Sequence, residues 1–202
     1  MSKTLSTILR HSAAQEGIHI RSDGFCKLQE VMAAAGITDS RAVDRIVREN
    51  KKQRFEIKNI SNIAHIRASQ GHSIKSVEDE GLLRELLLSD TDLPSFCVHG
   101  TSLGSLPSIQ QEGLKPGGGK AARNHIHFSP FEPRGPRSAT VIKGGAEVGI
   151  WVDLKKALAE GVPFLMSKNG VILSRGVNGR ISPRLFTKIM NLGNDKVYWQ
   201  LP

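Results

Sequence analysis

Cysteine is nearly missing from these 202 residues: there are two, Cys26 and Cys97. Two thiols without metal-ligand spacing form neither a disulfide framework nor a zinc site. They are expected to be reduced core thiols in an intracellular protein. Aromatic residues make up only 5% of the chain, and Trp151 and Trp199 read as core residues, not as base-stacking platforms. No hydrophobic run reaches the roughly 18 residues of a transmembrane helix, and the polar N-terminus is unlike a signal peptide. Acidic residues are also short, 19 against 28 lysines and arginines, leaving a net charge of +9. That balance favours a polyanionic partner. Without a long amphipathic basic helix, nucleic acid is favoured over a membrane. Carboxylates are absent altogether between Ile57 and Val77.

What that acid-free window holds is Ala64-His65-Ile66-Arg67-Ala68-Ser69-Gln70-Gly71-His72-Ser73. On a strand His65 and Arg67, two apart, share a face. A buried guanidinium without a counter-charge costs several kcal/mol. With no carboxylate nearby in sequence, an anion brought from outside is the expected partner.

Around this stretch the periodicity predicts a helix over residues 2–16, a second ending at Gly36 and a third over 40–50. Arg41, Arg45 and Arg48 line one face of the third. Strands follow at 54–58 and 63–68. Three short helices and a hairpin resemble a winged helix, whose basic third helix would face nucleic acid. Residues 76–94 turn locally acidic and read as a structured linker, with a helical turn or two around its leucines.

The second half opens on an apolar run ending His99-Gly100-Thr101, a strand delivering an imidazole and a hydroxyl to a turn. A helix is expected over 103–112. Alternation over 123–129 puts Arg123, His125 and His127 on one face. A buried strand is predicted over 148–152 and a helix capped by Asp153. Asn169-Gly170 marks a hairpin between strands 164–166 and 171–173. The tail after Ile181 is ambiguous between strand and short helix. The fold class is α+β, with 1–75 as the first lobe, 76–94 as the linker and 95–202 as the second lobe.

Six of the seven histidines (His11, His65, His72, His99, His125 and His127) fall in four short polar clusters, three of which contain an arginine. Arginine is no companion for zinc ligands, and no acidic orienter accompanies a nucleophile triad. No metal is expected. Guanidinium beside imidazole suits phosphate, which it grips bidentately at any working pH.

Leu9-Arg10-His11, the Ile66–Ser73 string, His99-Gly100-Thr101, Arg123-Asn124-His125-Ile126-His127 and Asn169-Gly170-Val171-Ile172-Leu173 resemble, in this order, the motif series of the tRNA 2′-phosphotransferase family. The resemblance implies an N-terminal winged-helix RNA-binding lobe and a C-terminal ADP-ribosyltransferase-like lobe that binds NAD. It implies an NAD-dependent transferase of tRNA splicing and processing. A splice-junction 2′-phosphate would attack NAD and expel nicotinamide. The ADP-ribosylated 2′-phospho-RNA would then yield 2′-OH RNA and ADP-ribose 1″,2″-cyclic phosphate. The first nucleophile is already an anion and needs no general base. The second step gathers charge on phosphorus, where fixed cations help.

The family's catalytic residues map onto Arg10, His65, Arg67 and Arg123. The arginines would clamp the phosphate, and His65 would assist the transesterification. His11, Gln70, His72 and Ser73 would hold RNA. His99, Gly100, Thr101, His125, Ser129, Gly170 and Val171 would line the NAD groove. The expected partners are RNA with an internal 2′-phosphate and NAD as a consumed co-substrate, with no membrane. A monomer in the cytoplasm, the nucleus or both is expected. Two rival readings stand beside this one: a non-enzymatic winged-helix binder with a ligand-sensing lobe, and an ADP-ribosyltransferase acting on nucleic-acid ends or protein.

Overall fold

A computed structural model describes residues 1–117, 124–133, 142 and 145–201. The chain forms two compact units. The first comprises Met1–Arg84 together with Asn124 and Ser167–Asn169, and the second comprises the described parts of 85–117, 125–166 and 170–201. The boundary at 84/85 falls inside the stretch read as a linker. There the expected helical turns are replaced by a short strand, β4 (Leu83–Glu85), with Leu86 buried and Leu87 and Leu88 exposed.

In the first unit the predicted opening helix is shorter and changes type. α1 (Ser2–Thr7) passes into a π-helical turn, Ile8–Ser12, followed by hydrogen-bonded turns to Gly17. Leu5, Ile8, Leu9 and Ala13 point inward, so apolar spacing marked the buried face but not the change of pitch. A two-residue strand β1 (Cys26–Lys27) leads into α2 (Leu28–Ala34), and α3 (Ser40–Glu49) is capped by the Asp39 carboxylate accepting from the Arg41 N–H at 3.0 Å. β2 (Phe55–Ile60) and β3 (Ile63–Ala68) pair in antiparallel register, with β1 on the far side of β3. Ser61 and Asn62 both have positive φ, 51° and 64°, as a tight primed turn demands. That turn fixes Glu56 opposite Arg67 and Lys58 opposite His65. Leu28, Val31, Val43, Phe55, Ile66 and Ala68 close the core over α1.

The second unit is built on an antiparallel sheet in the order β11-β10-β7-β5. β7 (Val148–Asp153) is buried from end to end but for Asp153, as its unbroken apolar run predicts. Its neighbours are β5 (Phe96–Thr101) and β10 (Phe186–Asn191), with β11 (Val197–Gln200) outermost. The ambiguous tail is therefore strand, and Trp199 lies on the edge strand, 38% exposed, contrary to its core reading. Trp151 is buried on β7. A second sheet sets β9 (Ile172–Ser174) between β8 (Leu165–Ser167) and β6 (Ile126–Phe128). The helices are α4 (Leu106–Glu112), entered through a 3₁₀ turn, and α5 (Leu154–Ala159), where the Asp153 carboxylate accepts from the Lys156 N–H at 2.9 Å. The chain is thus mixed α+β with antiparallel sheets.

Both cysteines are buried. Burial pushes the Cys26 thiol up to about 12 and Cys97 well above its ordinary range, so neither is a nucleophile at neutral pH. Among the described residues no group of three or more His, Cys, Asp or Glu stands in a metal-binding arrangement, and no helix is long and apolar enough to cross a membrane.

Candidate active site

The π-helical turn sinks Ile8 and Leu9 into the first core and leaves Arg10 and His11 half-buried side by side. Such turns insert an extra residue and re-aim side chains, which is why they recur at functional sites. The Ser73 N–H donates to the Arg10 carbonyl at 2.9 Å, and the Ser73 hydroxyl donates to the same oxygen at 3.4 Å. Ser73 Oγ and His11 Nδ1 lie 2.9 Å apart in a hydrogen bond whose direction follows the tautomer of the imidazole. The contact engages Nδ1 of His11 and orients its ring.

His72, next to Ser73, is 4% exposed, and its Nε2 is buried with no hydrogen-bond partner. Burial first, and then the nearby charges of Arg10, His11 and Arg67, push this imidazole down to about 3, with Asp79 opposing them weakly. Four sequence-predicted residues therefore share one electrostatic neighbourhood, and His72 is its neutral member. The His72 carbonyl accepts from the Asn124 N–H at 3.4 Å. Arg123, the neighbour of Asn124, lies outside the described residues.

Arg67 corrects the expectation that its partner comes only from outside. Its Nε and Nη2 donate to Glu56 Oε2 at 3.0 and 2.8 Å. Nη1 donates to the Asp23 and Gly81 carbonyls at 2.9 and 2.8 Å, and the guanidinium lies 4.4 Å from the centre of the Phe25 ring. The carboxylate was one residue beyond the acid-free window, brought opposite Arg67 by the hairpin register. Glu56 also accepts from Lys168 Nζ at 2.6 Å through Oε1. Burial alone would raise the Glu56 carboxyl, but hydrogen bonds from Lys168 and Arg67 outweigh it and hold it below its ordinary range.

His65 is buried on β3, and its Nδ1 donates to the Ile63 carbonyl of its own strand at 2.8 Å. Gln70 is half-buried at the bend after β3, where Gly71 takes φ 86°. Of the four residues read as catalytic, Arg10 and Arg67 both act electrostatically on His72. His11, read as an RNA contact, acts on His72 as well.

In the second unit the histidines are held by backbone. His99 Nδ1 donates to the His127 carbonyl at 2.9 Å, and His127 Nδ1 donates to the His125 carbonyl at 3.0 Å. A carbonyl only accepts, so both rings carry the proton on Nδ1 and present Nε2 as acceptor when neutral. His125, 5% exposed, accepts from Arg175 Nε at 3.2 Å through its own Nε2. Gly100 sits opposite Gly149 in the sheet, and a Cβ at Gly100 would stand 2.8 Å from Ile142 Cγ2. A side chain there would displace Ile142 and crowd Ala146. Thr101 is half-buried at the end of β5. The Ser129 hydroxyl donates to the Phe131 carbonyl and accepts from its N–H, both at 3.1 Å, which commits it to its own turn. Gly170 turns the β8–β9 hairpin at φ 75°, and Val171 is buried.

Sequence reasoning missed Glu56, Lys168, Asp23, Phe25 and Arg175. Glu56 was findable: strand alternation and a two-residue Ser-Asn turn pair it with Arg67. The carbonyls of Asp23 and Gly81 carry no side-chain signature, and no pattern would have found them.

The family model of RNA 2′-phosphotransferase, Tpt1 / KptA family, matches residues 1–176. The chain is 34% identical over 200 residues to tRNA 2′-phosphotransferase 1 of Danio rerio, covering 95% of this chain and 85% of that one. It is 36% identical over 197 residues to tRNA 2′-phosphotransferase 1 of Homo sapiens, covering 95% and 75%. Against the tRNA 2′-phosphotransferase of Saccharomyces cerevisiae it is 32% identical over 203 residues, covering 97% and 85%. With a cluster of arginine and histidine in the first unit and a match over most of its length, the chain belongs to the RNA 2′-phosphotransferase, Tpt1 / KptA family.

Proposed function

We propose that this enzyme removes an internal 2′-phosphate from RNA, spliced tRNA included, by transferring it to NAD, with ADP-ribose 1″,2″-cyclic phosphate and nicotinamide as the other products. The observation that carries the reading is the convergence of Arg10, His11 and Arg67 on His72. Such a cationic pocket suits a phosphoryl group and contains no catalytic carboxylate. Of its nearby acids, Glu56 is already paired with Arg67 and Lys168, and Asp79 opposes the cations on His72 only weakly. NAD supplies an electrophilic anomeric carbon and a ribose hydroxyl when bound. His99 and Thr101, with Nε2 and hydroxyl groups on the end of β5, have the chemistry to hold a ribose, and Gly100 keeps the strand narrow beside them.

Within this reading Arg10 and Arg67 neutralise the phosphate, together with Arg123. His11 takes the proton-transfer role that the family pattern assigned to His65. Its Nδ1 is engaged by Ser73, so Nε2 is the atom that takes the proton of the attacking ribose 2″-hydroxyl and passes it to the departing RNA 2′-oxygen. His65 serves β3. Three helices followed by a hairpin support a winged-helix lobe in the first unit. The antiparallel sheets with His99-Gly100-Thr101 on β5 support an ADP-ribosyltransferase-like lobe in the second. The test is incubation with NAD and a 2′-phosphorylated RNA oligomer. Nicotinamide and the cyclic phosphate should appear in equal amounts. No nicotinamide release would leave only a binding role, and a lasting ADP-ribosyl adduct would point to a terminal transferase.

A further inference from the structure

Arg67 has five N–H donors, and four are already engaged: Nε and one Nη2–H by Glu56, both Nη1–H groups by backbone carbonyls. The side chain is 13% exposed and Glu56 20%. Its bidentate edge is therefore closed to a phosphate, and one Nη2–H remains. A guanidinium clamped on an aromatic ring, a carboxylate and two carbonyls cannot change rotamer without breaking several bonds at once. Glu56 is itself held from the other side by Lys168, on the turn Ser167–Asn169, while Asn169 Nδ2 donates to the Lys52 carbonyl at 2.8 Å. The triad Arg67, Glu56 and Lys168 keeps a net positive charge.

We propose that Glu56 is the positioning residue of this site: it fixes Arg67 so that a single N–H and a preset charge face the phosphate, and Lys168 steadies Glu56. The inference rests on the phosphotransferase reading and adds to it a residue that touches no substrate. A carboxylate beside a phosphate site is otherwise unfavourable, because it repels the substrate. Its retention is explained if fixing the guanidinium is worth more in the transition state than the repulsion costs in binding.

The test is Glu56→Gln in the full chain, with Lys168→Met as a second variant. Two readouts are taken: steady-state kinetics on the 2′-phosphorylated oligomer, and the Nε–H signal of Arg67 in protein carrying ¹⁵N-arginine, identified by its loss in Arg67→Lys. For Glu56→Gln the expected result is a kcat lower by about 10²-fold. KM for RNA should be unchanged or lower, since a repelling charge is gone, and the Arg67 signal should exchange rapidly with water. Lys168→Met should keep the signal and lower kcat less. An unchanged kcat with an unchanged signal overturns the proposal. So does a raised kcat, which would make Glu56 a stand-in for phosphate that substrate must displace. A Lys168→Met defect as large as that of Glu56→Gln overturns it too. If wild-type protein releases no nicotinamide, the enzymatic reading fails by itself, and the Arg67 signal still decides whether Glu56 fixes the guanidinium.

Discussion

Two histidines of the first unit, His11 and His72, are held differently from two of the second, His99 and His127. In the first unit His11 and His72 are governed by side chains and charges: a serine hydroxyl on one, and Arg10, His11 and Arg67 around the other. In the second, His99 and His127 hang from strand carbonyls, and Arg175 donates to His125. A charge field answers to salt, pH and single-charge substitutions. A backbone scaffold answers to strand geometry and hardly to ions. Under the proposed function, recognition of an anion suits the first arrangement and recognition of neutral ribose hydroxyls the second.

The sharpest way to break the comparison is Arg67→Ala. An arginine on a transferring phosphoryl group is worth about 10³-fold or more in turnover, and that loss is expected in nicotinamide release. The same change strips the Asp23 and Gly81 carbonyls of their donor and removes an ion pair from Glu56. A stability loss of about 2–3 kcal/mol should accompany it, readable by urea denaturation. Turnover near wild type in folded Arg67→Ala would remove Arg67 from the chemistry and leave it a structural cation. Next in size is the pair His11→Ala and His65→Asn. Proton transfer contributes about 10²-fold or more, so His11→Ala should lose that much in kcat. His65→Asn should cost a few-fold at most, because its Nδ1 is committed to a carbonyl of its own strand. The reverse ranking would restore the assignment made from the family pattern.

How far the sequence reached follows the same division. Apolar spacing, the Asp153 cap and the Asn169-Gly170 turn are local, and they located β5, β7, α5 and the β8–β9 hairpin within a residue or two. The grouping of arginine with histidine was also legible, since adjacent residues carry it. What failed was whatever depends on pairing across the chain. Glu56 reaches Arg67 only through hairpin register, Lys168 reaches Glu56 from far along the chain, and Trp199 is exposed because β11 is an edge strand. The π-helical turn at Ile8–Ser12 is a pitch change that a 3.6-residue period does not resolve.

Salt separates the units with a smaller effect. If two or three phosphates of single-stranded RNA are neutralised by the first unit, the affinity slope is about −0.7 per contact. Raising salt from about 50 to 200 mM should then weaken RNA binding roughly tenfold, read as KM for the oligomer at saturating NAD. KM for NAD should move much less over the same range. Equal salt slopes for both substrates would mean that the charge field is not confined to the first unit.

The smallest expected effect is on acid stability, and it isolates His72. Its folded pKa of about 3 lies below the ordinary 6.5, so between these values the unfolded chain binds the proton and the folded one does not. Stability from this group is complete above pH 6.5 and drains away as pH falls toward 3. Glu56 and Asp23, whose carboxyls are held below their ordinary values of 4.5 and 3.8, contribute losses only at lower pH. The window from 6.5 down to 4.5 therefore belongs to His72 among these three groups. Two pH units there correspond to at most about 2.7 kcal/mol, and about 1–2 is expected once solvent relaxation is allowed. Urea denaturation at pH 7 and pH 4.5 should show that loss in wild type. In His72→Gln, which fills the same space with a group that cannot take a charge, it should be mostly gone. An acid limb equally steep in both proteins would mean that the Nε2 pocket near Gly24 admits a proton at little cost, and that Arg10 and Arg67 project less field there than their positions imply.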